Sequence, residues 1–248
     1  MIERYYIAAF WGKRKETPSE CGQRAAGFFK NLATLDPVFS HWYEQGYSIT
    51  EALERRVAFE PEALEKLFLA GQARDDDGNL MEGLGSLIML WNGIDRGEGA
   101  MVTIDCGTYD TTTSLLNRCL LKLPYEGPAA DRILQPDPMA EILATVVRHW
   151  EPDWAAVTTG QMREMQDRSA SEPIVGWLTY LSPSRGVLPI LPLGCEVMEA
   201  GGVEGIIIAN DTPLSINNPG HMDRLQYLRQ NLKDAGLLEP IAQYSAST

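Results

Sequence analysis

The sequence predicts an α+β fold: a mixed, largely antiparallel sheet with about four to five helices packed on it. Apolar runs of strand length succeed one another without intervening helices at residues 86–91, 100–106 and 118–123, the order of an antiparallel meander. One-sided apolar stripes at helical spacing recur along the chain. They open at Pro18, Pro61, Pro138 and Pro219, and proline is favoured at a first helical position. Strands follow strands too often for the strict alternation of a doubly wound parallel fold.

Residues 5–10 are a short aromatic-rich run suited to a strand. After a charged loop, Thr17-Pro18-Ser19-Glu20 spells a capping box, and Ala25, Phe28, Phe29, Leu32 and Leu35 give the helix its stripe. Asp36-Pro37 ends that helix. Over 38–43, Val38, Ser40 and Trp42 alternate with Phe39, His41 and Tyr43, which predicts a second strand with Trp42 and Tyr43 in the core. Residues 48–59 read as helical, and 61–68 as a helix with Leu64, Leu67 and Phe68 on one side. Residues 73–79 form a polar turn, and the meander follows. Residues 127–138, rich in proline and polar side chains, are the best candidate linker, so the chain reads as one domain over 1–248 that would divide near 125–137. Asp137-Pro138 then caps a helix with Met139, Ile142, Leu143, Val146 and Trp150 on one face. Strands are expected at 154–157, 174–181, 195–199 and 205–209, with an irregular proline-rich stretch at 182–192. Asn218-Pro219 caps the last helix, with Met222, Leu225, Leu228 and Leu232 as its stripe and Gly236 at its end.

The 248 residues are 44% apolar and 22% charged, enough to build a sizeable core. The formal charge is 21 − 34 = −13. It is spread along the chain: residues 1–124 hold 13 basic and 18 acidic side chains, and the rest hold 8 and 16. Such a surface repels nucleic acid and anionic membrane and attracts basic partners, and it also keeps a protein soluble. No apolar stretch approaches the ~18 residues of a membrane span, and the N-terminus does not resemble a signal peptide, so a cytoplasmic protein is expected. The four cysteines, at 21, 106, 119 and 195, form no C-x-x-C pair and read as buried free thiols.

Signatures of catalysis are missing from the sequence: no phosphate loop, dinucleotide fingerprint, HExxH or G-x-S-x-G occurs. Cys106, at the end of a predicted strand, is the one candidate nucleophile, with His41, His149 and His221 as available bases. His41 and His149 each precede a tryptophan and read as packed aromatics, while His221 reads as solvated. The run Asp75-Asp76-Asp77-Gly78 fails as a calcium loop, because Ala73 and Leu84 would fall at its first and twelfth positions. No metal and no cofactor are expected.

Trp11 with Arg14 after an aromatic strand, the helix 19–35 and the run Asp36-Pro37-Val38-Phe39-Ser40-His41-Trp42 resemble the N-terminal signature of the immunity protein 52 family. The resemblance is clearest over 5–46 and extends to the stretch 205–218 before the last helix. It implies a bacterial antitoxin with no catalytic residues, held in the cytoplasm. The implied partner is a cognate type VI-secreted nuclease toxin with a restriction-endonuclease-like domain, with no direct nucleic-acid or membrane contact. Residues 186–223 carry no Lys or Arg. The expected toxin-binding residues are therefore Asp75, Asp76 and Asp77 together with Glu196, Glu199, Glu204 and Asp211, facing a basic partner. Buried strands also carry few charges of any kind, so that stretch has a purely structural reading too. The alternatives are a small cytosolic enzyme using Cys106, or an adaptor.

Overall fold

The computed structural model describes residues 3–166, 168–169, 171–198 and 201–241. Among the described residues, nine strands build one sheet: β1 (Tyr5–Trp11), β2 (Tyr43–Glu44), β3 (Ser86–Trp91), β4 (Met101–Cys106), β5 (Asn117–Lys122), β6 (Trp154–Thr159), β7 (Leu178–Leu181), β8 (Cys195–Met198) and β9 (Ile206–Asn210). Their order is β2-β3-β4-β5-β1-β6-β7-β9-β8, and every pairing is antiparallel. The N-terminal strand is thus the central one. It joins the expected meander β3-β4-β5 to the β6-β7-β9-β8 half. The helices are α1 (Pro18–Leu35), α2 (Ile49–Glu54), α3 (Pro61–Ala70), α4 (Gly127–Ile133), α5 (Pro136–Trp150), α6 (Gly160–Glu164) and α7 (Pro219–Asp234).

The capping box forms as written. Glu20 N–H donates to the Thr17 hydroxyl at 3.2 Å, and the Glu20 carboxylate accepts from Thr17 N–H at 2.7 Å. The α1 stripe, with Ala25, Phe28, Phe29 and Leu32 fully buried, faces α3 and α5. Gly22 lets α3 come close: a Cβ there would stand 2.8 Å from the Glu65 backbone nitrogen. Trp11 of β1 stacks on Trp150 of α5, 5.7 Å between centroids, which fixes that helix against the sheet. The α7 stripe Met222, Leu225, Leu228 and Leu232 is buried.

Several expectations fail for physical reasons. Residues 38–43 are not a strand. Pro37–Phe39 is a 3-10 turn capped by Asp36, whose carboxylate accepts from Val38 N–H at 2.9 Å. The buried residues there are Val38, Phe39 and Trp42, a helical spacing that an alternating pattern imitates. Only Tyr43 and Glu44 reach the sheet; Trp42 is core as expected, and Tyr43 is half-buried. The helix expected over 48–59 ends at Glu54. The candidate linker 127–138 is folded: Pro128 starts α4, which buries Ala129, Ala130 and Ile133. The next helix opens at Pro136 rather than Pro138, and Asp137 sits in its first turn. The strand expected over 174–181 holds only from Leu178.

The cysteines also differ from expectation. Cys21 of α1 and Cys106 of β4 form a disulfide, 6.2 Å between Cα atoms and 85 residues apart in sequence. Packing brought together two residues that no sequence spacing relates. Cys119 and Cys195 are free thiols, Cys119 buried.

Candidate interaction surface

The sheet has one face covered over its central strands and one partly open face. Ile88, Leu90, Val102, Ile104, Cys119, Leu121, Ile7 and Ala9 point to the covered side and are buried beneath α1, α3 and α5. On the opposite side, cross-strand partners fall into rows. Trp91, Met101, Lys122 and Tyr6 form one; Met89, Thr103, Leu120 and Ala8 the next; Leu87, Asp105, Arg118 and Phe10 the third. The same rows continue over β6 and β7 as Thr158, Ala156, Trp154, Thr179 and Leu181, all buried. There α6, the segment after it and α7 supply a second layer, held by a buried ion pair between Arg229 of α7 and Glu172. Over β3, β4 and β5 that layer stops, leaving Leu87 39% and Met89 43% exposed on a strand buried on its other side. The all-apolar run 87–91 reads equally well as a strand buried on both faces, so the sequence concealed this opening.

Two clefts mark the open side. One, of about 410 Å³, is lined by Arg4, Tyr6, Trp91, Met101, Lys122 and Tyr125; the Arg4 guanidinium lies 4.4 Å over the Tyr125 ring. The other, of about 280 Å³, includes Phe10, Leu115, Asp105, Arg118 and Ser171. Burial pushes the Asp105 carboxyl above the usual range, and the ion pair with Arg118 at 2.5 Å opposes that shift.

The acidic residues singled out from sequence lie at two distant places. Asp75, Asp76 and Asp77 sit in an exposed turn closed by a bridge between Arg74 and Leu80, beside the start of β3. The Asp75 carboxylate accepts from Asp77 N–H, Asn79 N–H and the Asn79 side chain at 2.7–3.0 Å. These bonds, the Asn79 side chain first, hold its carboxyl below the usual range and assign it to shaping the turn. Glu196, Glu204 and Asp211 are exposed on the β8–β9 hairpin at the other end of the sheet. Asp211 pairs with Arg224. Seven strand spacings separate β3 from β8, roughly 30 Å at ~4.8 Å each. Glu199 lies outside the described residues.

The candidate nucleophile is not available. Cys106 is buried, its sulfur is bonded to Cys21, and a Glu16 side-chain oxygen lies 3.3 Å from it. Glu16, Cys21 and Cys106 bring three ligand-type atoms within 4.8 Å of one another. Both sulfurs are spent in the disulfide, and Glu16 is held by Arg14 at 2.8 Å and Arg24 at 2.6 Å. The histidines are remote from it in role. His149 meets Asn31 at 2.8 Å, His41 meets Arg56 at 2.7 Å, and His221, expected to be solvated, is half-buried and accepts from Ser215 N–H at 3.0 Å.

The two stretches that carry the family resemblance touch each other. Tyr5 of β1 donates its hydroxyl proton to the Leu214 carbonyl, and Glu3 accepts from the Ser215 hydroxyl at 2.9 Å and from Ile216 N–H at 3.0 Å. A family model described as Imm52, immunity protein 52, matches residues 3–241. A solved structure, the Pseudomonas aeruginosa T6SS protein PA0821, is similar with a TM-score of 0.54 at 14% identity, over 92% of this chain and 73% of that one. At that identity the likeness carries the fold. A comparison with curated proteins finds no match. No helix among the described residues is long and apolar enough to cross a membrane. With the family model running from residue 3 to residue 241, the chain belongs to the immunity protein 52 family.

Proposed function

We propose that this protein is an antitoxin that binds and neutralises a cognate type VI-secreted nuclease toxin of restriction-endonuclease-like type, stoichiometrically and without turnover. The observation that carries the reading is the family match over residues 3–241. The net charge of −13 supports a nuclease in particular, because a protein that grips DNA presents a basic face and an acidic inhibitor is steered to it. Glu196, Glu199, Glu204 and Asp211 are proposed as one acidic contact region, and Asp75, Asp76 and Asp77 as a second. The cytoplasm of the producing cell is the proposed compartment.

The test is co-purification with the toxin encoded by the neighbouring gene, followed by DNA cleavage with increasing amounts of this protein. Cleavage should stop near a one-to-one ratio. Cleavage that continues with the antitoxin in excess rules the reading out. Charge reversal at Glu196, Glu204 and Asp211 should slow association most at low salt.

A further inference from the structure

The proline-rich stretch 182–194 is an ordered ridge rather than a slack loop. Val187, Ile190 and Leu193 are 88%, 93% and 98% exposed, while Leu188 and Leu191 pack against the core. Exposure therefore repeats every third residue, with Pro189 and Pro192 in the remaining positions. Three residues per turn is the period of a polyproline II helix, whose rise of about 3.1 Å per residue would make the ridge about 20 Å long.

Both ends are tied. Gly186 and Gly194 take positive φ, 119° and 83°, and turn the chain at either end. The Arg185 guanidinium donates to the Leu237 and Glu239 carbonyls. At the other end Asp211 N–H donates to the Gly194 carbonyl at 3.2 Å, and Cys195 N–H to the Pro192 carbonyl at 3.1 Å. The ridge runs directly into β8, an edge strand whose Val197 is also exposed. Single apolar side chains on a surface are ordinary; a row of three large aliphatic ones between two tied ends is an interaction signature.

We propose that the Val187–Ile190–Leu193 row is the part of this protein that enters its toxin, seated in an apolar groove rimmed by Lys or Arg. The inference rests on the antitoxin reading above. Charge selects the occupant. Glu196, directly after the ridge, and Glu204, on the turn that follows β8, are exposed, and residues 186–223 contribute no Lys or Arg. The two arginines at its borders are committed, Arg185 to carbonyls and Arg224 to Asp211. A second copy of the chain would bring the same carboxylates face to face, whereas a basic nuclease surface complements them. The tied ends reduce the conformational freedom that docking would cost.

The experiment uses the full chain and the catalytically inactivated toxin encoded beside it. The triple variant V187S/I190S/L193S changes only solvated side chains and should melt like the unaltered protein, yet bind the toxin at least about thirtyfold more weakly. A photoreactive p-benzoylphenylalanine in place of Ile190 should crosslink to the toxin, a readout that does not depend on how the triple variant folds. Unchanged affinity in the triple variant, or no crosslink in a formed complex, overturns the ridge and leaves the antitoxin reading standing. Failure of the unaltered chain to bind removes both. Self-association of the chain alone that the triple variant abolishes would assign the ridge to a second copy and overturn the proposal.

Discussion

Arg132 of α4 grips Asp36, at the end of α1, with two parallel bonds: Nε to Oδ2 at 2.7 Å and Nη2 to Oδ1 at 2.9 Å. The same carboxylate caps the 3-10 turn that places Phe39 and Trp42 in the core. One nearly buried side chain thus fixes the exit of the first helix and pins the segment that composition marks as a linker.

Replacing Asp36 by Asn keeps the shape and removes the charge. It should cost about 1–3 kcal/mol, measured by denaturant unfolding near neutral pH. The Arg132 guanidinium first, and then Val38 N–H, hold the Asp36 carboxyl below the usual carboxylate range against the opposing effect of burial. A depressed carboxyl stabilises the fold above the unfolded pKa of ~3.9, and that contribution is lost as pH falls through the lower folded value. The gap between the two proteins should therefore close in acid; a gap that stays constant down to pH 2 contradicts the assignment.

Gly27 stands in the middle of α1, where alanine ordinarily gains up to ~1 kcal/mol. Here a Cβ would lie 2.6 Å from Cε1 of His149, whose ring is held between Asn31 and Phe28. Gly27→Ala should therefore lower the melting temperature, by several degrees if the ring is displaced. A rise in melting temperature would show that the ring yields freely.

The Cys21–Cys106 bond closes a long loop between α1 and β4. Its reduction should lower unfolding stability by about 2–4 kcal/mol. Denaturant curves with and without a thiol reductant measure this, using Cys106→Ser as the variant that should not respond. Superimposable curves for the unaltered protein would show that the fold does not depend on the bond.

Arg229 and Glu172 are both nearly buried, and Arg229 also donates to the Pro173 carbonyl at 3.3 Å. Removing one partner strands the other charge. Arg229→Met should cost roughly 3–5 kcal/mol, and adding Glu172→Gln to it should recover part of that. If the double variant is as unstable as the sum of the singles, the two residues are not coupled.

Local chemistry was the most legible part of the sequence. Thr17 and Glu20 sit three residues apart and form the cap they spell; Pro61 and Pro219 begin helices; the stretches 86–91, 101–106 and 117–122 pair as a meander. The failures arise where a residue's state is set from afar. Pro128 looks like a breaker until Ala129, Ala130 and Ile133 find the core, and Trp42 looks like a strand residue until Asp36 curls the chain beneath it. Cys21 and Cys106 are partners only through packing. The candidate surface was half legible. The acidic residues that the structure describes are exposed, but their separation depends on sheet order, and the open face of Leu87 and Met89 depends on where the second layer stops.

The central place of β1 sets a schedule for the newborn chain. Its two neighbours, β5 and β6, end at Lys122 and Thr159, more than a hundred residues after Tyr5 leaves the ribosome. At ~5–20 residues per second, the aromatic strand waits on the order of ten seconds for its second partner, with one edge still open after β5 has been made. The sheet therefore closes around β1 only after Thr159 has been made, and its β7-β9-β8 end later still. A central strand laid down first thus commits the fold to late, long-range closure on both of its sides.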